Sequence, residues 1–170
     1  VDGLGAGYRH TVIAMDGRTE AVDLVRHDER LTLVHVPVAK RSGLSFVNLR
    51  RFRRVLRDLR PDMLATYNWG AIEWALVNRL RPLCPHVHVE DGFGPEEAGE
   101  RQLRRRVWFR RAALSGGHTQ IVVPSHTLLG IVVRTWRIDI ARVQHIPNGI
   151  DCAQVWRSAA ATRREREQSA

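Results

Sequence analysis

Short apolar segments alternate with longer segments of helical periodicity along most of this chain. Runs rich in Val, Leu and Ile predict strands at residues 10–15, 31–38, 63–67, 86–90, 120–124 and 142–146. Apolar spacings of three and four predict a helix at residues 46–60, and a nearly all-apolar segment predicts one at 70–80. Residues 96–114, acidic at first and basic later, form a third predicted helix, and Ser125 is the expected N-cap of a fourth at 127–136. This alternation is typical of βαβ units. The sequence therefore predicts an α/β fold, in which one Rossmann-like parallel sheet is flanked by helices.

Length and composition narrow the class of protein. The 170 residues favour one domain, and 44% hydrophobic and 26% charged residues are ordinary for a globular protein. No apolar run is long enough to span a bilayer and no signal-peptide pattern opens the chain, so a cytoplasmic protein is expected. Cys84 and Cys152 lack C-x-x-C spacing, so neither a disulfide framework nor a zinc knuckle is indicated. We expect Cys84 to be buried.

The chain carries a net charge of +9, and Lys40 is its single lysine among 27 basic residues. Such a charge is compatible with nucleic acid, anionic lipid or a phosphorylated substrate, and equally with a GC-rich coding sequence. The predicted helix at 46–60 has an arginine face opposite one apolar stripe, formed by Leu49, Phe52, Val55, Leu56 and Leu59. Nucleic-acid binding is not expected, because only Trp108 offers an aromatic platform between basic residues.

Polar or glycine-bearing turns follow most of the predicted strands. In an open parallel sheet, ligands bind beyond the carboxyl ends of the strands, and such turns bring backbone N–H groups close to a phosphate or a sugar hydroxyl. The same turns also close ordinary α/β loops. We expect six residues to lie along one edge of a single sheet, namely Asp16, Asn68, Glu90, Asp91, Ser125 and Asn148.

Two further features bear on the chemistry. Glu73 lies in an otherwise apolar helix, where burying an unpaired carboxylate is costly, so it either faces the cleft or meets the helix dipole and a nearby arginine. His86, His88 and Glu90 fall on one face of a strand, because side chains alternate with period two. These are residue types that bind zinc, but hydrogen-bonded histidines on a buried strand explain the segment more simply. We predict no metal site.

Several segments together resemble the N-terminal domain of family 4 glycosyltransferases of the GT-B architecture. The most specific are the hinge-like residues 146–151 (IPNGID) and the strand end at 122–125 (VVPS), with weaker matches at 9–17, 61–70 and 88–97. The resemblance implies transfer of a sugar from a nucleotide diphosphate sugar to an acceptor hydroxyl, with retention and with no metal or other cofactor. It divides the chain into an acceptor-side domain at 1–150, and a hinge remnant with a flexible tail at 151–170.

The resemblance also suggests roles for individual residues. The loop at 90–97 would lie in the cleft, with Glu90 or Asp91 as the catalytic or orienting acid. Asp91 is favoured because it lies beyond the last ladder residue. Gly3, Gly5 and Gly7 would be the remnant of the loop that approaches the donor diphosphate. The substrate-binding candidates are Asn68, Trp69, Glu73, Ser125, Asn148 and Gly149.

The chain departs from the family pattern in two places. The strand and helix that normally precede residue 10 are absent, which would expose sheet edges. The C-terminal domain that holds the donor is also missing, so the chain looks truncated and we expect it to be inactive alone. In the whole enzyme the acceptor would be a glycan or lipid-linked molecule, and the protein would work in the cytoplasm or at the inner face of the membrane. The alternative is a non-catalytic basic module that binds anionic lipid or nucleic acid.

Overall fold

The computed structural model describes residues 7–15, 30–38, 45–94, 97 and 102–149. In these residues the strands are β1 (His10–Ala14), β2 (Leu31–His35), β3 (Leu64–Tyr67), β4 (His86–Val89), β5 (Thr119–Val123) and β6 (Val143–His145). The α-helices are α1 (Phe46–Leu59), α2 (Ile72–Leu80), α3 (Arg104–Leu114) and α4 (His126–Gly130). Short 3-10 turns at Trp69–Ala71 and Ile140–Arg142 precede α2 and β6. The architecture is the predicted parallel α/β fold with flanking helices.

The prediction of a single sheet is wrong for the described residues. Four strands form one parallel sheet in the order β3-β4-β5-β6, and β1 pairs only with β2 in a second parallel ladder. β3 pairs only with β4, with Leu64 opposite His86. Among the described residues, no strand pairing therefore joins the two sheets. Because all strands of the larger sheet are parallel, the turns after β3, β4, β5 and β6 still lie along one edge.

Side-chain packing joins the two ladders instead. Val36 beyond β2, Phe52 and Leu56 of α1, and Leu64 of β3 belong to one buried cluster. In the same cluster, Phe52 stacks on Trp74 of α2 with ring centroids 4.1 Å apart. The Trp74 indole N–H donates to the Met15 sulfur at 3.0 Å. A buried aromatic pair therefore holds β1 and β2 against the rest of the domain.

The ends of α1 follow from local chemistry. The Ser45 hydroxyl accepts a hydrogen bond from the Asn48 backbone N–H at 3.4 Å, which is an N-cap. Arg60, just before Pro61, adopts a left-handed conformation with φ of 47° and ends the helix. One residue of the predicted stripe is misplaced, since Leu59 is 39% exposed. Asn48 is buried in the stripe, and its side-chain amide donates to the Glu73 carboxylate at 3.4 Å.

The predicted helix at residues 96–114 is shorter than expected. α3 begins at Arg104, so its first turn carries three arginines and no acid. Cations at the positive end of a helix are unfavourable, and the Leu103 side chain supplies no cap. The Glu97 carboxylate supplies the missing negative charge from outside the helix, because it accepts a hydrogen bond from Arg106 at 3.1 Å.

The helix predicted at residues 127–136 has two parts. Ser125 caps α4 as expected, with its hydroxyl accepting from the Leu128 N–H at 3.2 Å. The chain then widens into a π-helical segment, Ile131–Thr135. The fully buried Trp136 follows this segment and packs in a second core with Ile121 and Val123 of β5. Widened turns of this kind occur often beside functional sites.

Cys84 is buried and free, and desolvation raises the pKa of its thiol. In the part of the chain that the structure describes, none of the helices combines the length and apolarity that crossing a membrane requires.

Candidate functional site

A cleft of about 420 Å³ opens at the carboxyl edge of the larger sheet, beyond β3 and β4. Its floor and walls come from the turn after β3, the loop after β4 and one face of α3. It is lined by Asn68, Trp69, Gly70, Asp91, Gly92, Phe93, Gly94, Glu97, Arg106 and Arg110. The cleft is therefore at the place where ligands bind in open parallel sheets.

Asn68 ties together the two strand ends that form the cleft. Its backbone N–H donates to the Val89 carbonyl at 2.9 Å, and its side-chain oxygen accepts a hydrogen bond from the Asp91 N–H at 2.8 Å. To do both, Asn68 adopts φ of 52° and ψ of −171°, a region that non-glycine residues rarely occupy. The backbone strain at Asn68 thus fixes the start of the loop that carries Asp91.

The two neighbouring acids, Glu90 and Asp91, occupy opposite environments. Asp91 is exposed and lines the cleft. Glu90 is 0% exposed, with one carboxylate oxygen 3.4 Å from His88 Nε2 and 3.7 Å from Arg110 Nε. Its other oxygen has no hydrogen-bond partner among the described residues. Only Asp91 is therefore accessible to a ligand in the cleft.

A chain of buried hydrogen bonds leads to Glu90 from inside the sheet. Thr119 Oγ1 lies 3.0 Å from His86 Nδ1, and Thr66 Oγ1 lies 2.8 Å from both His86 Nε2 and His88 Nδ1. Because the carboxylate of Glu90 only accepts, His88 carries its proton on Nε2. With one proton on each ring, Thr66 donates to His88 and accepts from His86, and Thr119 donates to His86.

Hydrogen bonds engage the ring nitrogens of the histidine strand. The nitrogens of His86 and His88 bond to threonine hydroxyls and Glu90, and their ring centroids are 6.3 Å apart. Among the described residues no group of three or more His, Cys, Asp or Glu side chains could hold a metal ion. Desolvation, together with the nearby His88, lowers the pKa of His86 to about 4. The strand thus serves as a hydrogen-bonded polar core.

Arg110 forms the back wall of the cleft. It is 1% exposed and donates to the two carboxylate oxygens of Glu97 at 3.0 and 2.9 Å, a bidentate pair of the strong, directional kind. Its guanidinium also lies 5.0 Å from the Trp69 ring and 5.1 Å from the rings of Phe93 and Trp136. Three aromatic rings and two carboxylates therefore enclose one cation.

Glu97 stays ionised in this setting. Desolvation acts to raise the pKa of Glu97, but hydrogen bonds from Arg110 and Arg106 outweigh it, and the pKa is lowered. Arg106 in turn lies 5.0 Å from the Trp69 ring. Sequence reasoning missed Glu97, Arg106 and Arg110 as site residues. The spacing of the two arginines by four along a helix was visible, but their partners come from distant parts of the chain.

The other predicted site residues are dispersed. Trp69 lines the cleft and makes an edge contact with Phe109, at 5.7 Å between ring centroids. Glu73 does not line it, because its carboxylate accepts hydrogen bonds from the Ser45 N–H at 3.2 Å and the Asn48 amide at 3.4 Å. Glu73 lies in the first turn of α2, at the positive end of the helix dipole, as one alternative expected. Its hydrogen-bond partners are uncharged groups at the start of α1 and not the expected arginine.

The remaining candidates lie at the edges of the described structure. Asn148 and Gly149 are exposed beyond β6 and line neither this cleft nor the one beside it. Gly7 is an exposed turn residue before β1. Gly3, Gly5 and Asp16, as well as the last residues of the hinge-like segment and the tail, are outside the described residues.

A second, larger cleft of about 1020 Å³ continues from the first between α3 and the α4 region. The two clefts share Asp91, Gly92, Phe93 and Glu97. The remaining lining residues are Gln102, Arg104, Val107, Trp108, Arg111, Ser125, Thr127, Leu128, Ile131 and Thr135. Of the predicted residues, Ser125 lies here.

Comparison with known proteins places this arrangement in a family. The crystal structure of a glycosyltransferase from Rickettsia africae ESF-5 has the same fold, with a TM-score of 0.57 at 14% sequence identity. The similarity covers 86% of this chain and 36% of that one, so the chain spans little more than a third of its relative. No curated protein matches by sequence. The profile of Glycosyltransferase Family 4 matches residues 4–154, which is most of the sequence, and the chain therefore belongs to glycosyltransferase family 4.

Proposed function

We propose that this chain is the acceptor-side domain of a retaining glycosyltransferase, which moves a sugar from a nucleotide diphosphate sugar to an acceptor hydroxyl. The observation that carries the proposal is the position of Asp91. Its carboxylate is exposed in a cleft at the carboxyl edge of the sheet, on a loop held by the side chain of Asn68. Membership of family 4 supports the transfer reaction.

In this proposal Asp91 orients the acceptor hydroxyl or accepts its proton, a contribution of typically about 10²- to 10⁴-fold in rate. Glu90 acts indirectly. Its buried carboxylate lies beside Arg110, and Arg110 holds Glu97 and the aromatic wall of the cleft. Glu90 is thus a positioning residue, while Asp91 is the group that touches substrate.

The donor would bind mainly to a second domain, with Gly3, Gly5 and Gly7 near its diphosphate. The purified 170-residue chain should then transfer no sugar above background, because positioning both substrates supplies a large part of such catalysis. A fusion protein in which a family 4 donor domain follows this chain from residue 151 should transfer sugar. Turnover by the isolated chain would contradict the acceptor-side assignment, and a folded fusion that binds donor but never transfers would contradict the reaction.

One surface feature favours a second activity, peripheral binding to anionic lipid. Phe52 is buried and unavailable, but Phe46 at the start of α1 is 76% exposed, beside the exposed Val47. Arg50 and Arg54 continue this exposed side and have no acidic partner among the described residues. Exposed apolar residues beside arginines favour insertion at a lipid interface.

Vesicle sedimentation tests this second activity. The chain should sediment with phosphatidylglycerol vesicles and not with phosphatidylcholine vesicles, and Phe46→Ser should weaken the binding. Tyr67→Ser, which removes an exposed aromatic residue on β3, is the matched control. Equal losses for the two variants, or equal binding to both lipids, would reject the assignment.

A further inference from the structure

We infer that the second cleft binds the acceptor itself, and that this acceptor is a glycan chain bearing carboxylate groups. The inference rests on the proposed function, because it names the substrate class of the same site. The groove is about 1020 Å³ and meets the first cleft at Asp91. A sugar chain lying in it would present its terminal hydroxyl at the Asp91 carboxylate.

One wall of the groove is a single face of α3. Arg104, Trp108 and Arg111 all line the groove, and their spacing of four and three places them in one row on the helix. At a rise of about 1.5 Å per residue, the two arginines are roughly 10 Å apart with Trp108 between them. A row of cation, aromatic ring and cation suits a ligand that repeats along its length.

The two arginines of this wall are exposed. Arg104 and Arg111 have no acidic partner in the residues that the structure describes. The nearby Glu97 carboxylate is already occupied by Arg106 and Arg110. Arg104 also stands at the positive end of α3, where a helix favours an anion and disfavours a cation. The groove therefore has charge complementarity to a ligand with carboxylates.

Gln102 adds a donor whose orientation is fixed. Its side-chain oxygen accepts a hydrogen bond from the Trp136 indole N–H at 2.8 Å, and an indole can only donate. The amide nitrogen must then point elsewhere, and this buried atom has no hydrogen-bond partner among the described residues. Because Gln102 lines the groove, a hydroxyl or carboxylate oxygen of the ligand can fill this position.

The remaining surface favours a sugar over a lipid chain. Trp108 is 70% exposed and offers a flat face to the C–H side of a sugar ring. The opposite wall carries the hydroxyls of Ser125, Thr127 and Thr135. An acyl chain would give no hydrogen bond to the two threonine hydroxyls or to the Gln102 amide nitrogen, at a desolvation cost, whereas sugar hydroxyls can bond to them.

Binding of defined oligosaccharides to the 170-residue chain tests the inference. The probes are tetragalacturonate and its fully methyl-esterified form, in which a neutral methyl ester replaces each carboxylate. Binding is measured by titration calorimetry and tryptophan fluorescence. The acid should bind about tenfold more tightly than the ester, since charge-assisted hydrogen bonds are lost in the ester. Arg111→Gln should remove most of that preference, and Trp108→Ala should weaken binding of both forms. Arg57→Gln, which changes an exposed arginine on α1, should change neither.

Several results would overturn the inference. The first is equal affinity for acid and ester. The second is no binding of either at millimolar concentration by a chain that circular dichroism shows to be folded. The third is equal losses for Arg111→Gln and Arg57→Gln. Failure of the proposed function looks different. Preferential binding of the acid, together with a donor-domain fusion that never transfers sugar, would retain the groove assignment and reject the reaction.

Discussion

The side chain of Asn68 accepts a hydrogen bond from the backbone N–H of Asp91 at 2.8 Å, which joins the end of β3 to the end of β4. Asn68 holds this position with φ of 52°. Strained backbone of this kind persists only where the surroundings enforce it, and it is concentrated at functional sites. The pair therefore sets the direction of the loop on which the only cleft-exposed acid of the Glu90-Asp91 pair lies.

Two substitutions at Asn68 separate the hydrogen bond from the backbone strain. Asn68→Ala removes the acceptor and keeps a side chain at positive φ, so it should lower the free energy of unfolding by about 2 kcal/mol. Asn68→Gly also removes the acceptor but relieves the strain, so its loss should be about 1 kcal/mol or less. Urea unfolding measures both. Equal losses would show that the strained conformation contributes nothing.

The neighbouring acids should respond differently in a fusion with a donor domain. Asp91→Asn should lower the transfer rate by about 10²-fold or more and leave the melting temperature nearly unchanged, because the side chain is exposed. Glu90→Gln should lower stability by about 2 kcal/mol, because Glu90 is buried beside Arg110 and His88. If Asp91→Asn retains the rate within about threefold while Glu90→Gln abolishes it in a folded protein, the two roles are reversed.

The buried pair of Arg110 and Glu97 should be strongly coupled. Arg110→Met removes the bidentate partner of Glu97 and the guanidinium 3.7 Å from Glu90, and should cost about 3 to 5 kcal/mol. Adding Glu97→Gln should cost less in the Arg110→Met background than alone, with a coupling energy above about 1 kcal/mol. Arg111→Met changes the next, exposed residue and should stay within about 0.5 kcal/mol of the parent. Additive losses would contradict the pairing.

Stability should fall between pH 7 and pH 5 because of His86. Its pKa is about 4 in the folded protein against 6.5 as the reference value, so in this range the unfolded state binds more protons and gains from acidification. The expected loss at pH 5 is about 2 kcal/mol. The pKa of Glu97 is lowered from 4.5, so protonation of Glu97 reduces stability mainly below that pH. Glu97 therefore contributes little to the loss between pH 7 and pH 5. His86→Asn should flatten the pH dependence in urea unfolding, and an unchanged slope would assign it to another group.

Much of the fold could be predicted from residues 10–146 because the signals are local. Runs of Val, Leu and Ile predicted all six described strands to within a few residues, and Ser125 was identified correctly as a helix cap. The alternation in β4 also predicted that Glu90 shares a face with His88, and their side chains lie 3.4 Å apart. Local signals were misleading before α3, because the predicted helix included residues 102 and 103, which precede the first residue of α3.

The sequence by itself determined the strands, the helices and the edge of the sheet at which Asn68, Asp91 and Ser125 meet, because each depends on periodicity or on neighbours along the chain. Only the tertiary structure decided which side chains are partners there. Arg110 donates hydrogen bonds to Glu97, which lies 13 residues away in the sequence. Glu73 accepts a hydrogen bond from Ser45, which lies 28 residues away. The tertiary structure also decided that the strands form two separate ladders, because strand pairing is a contact between distant segments that no local pattern specifies.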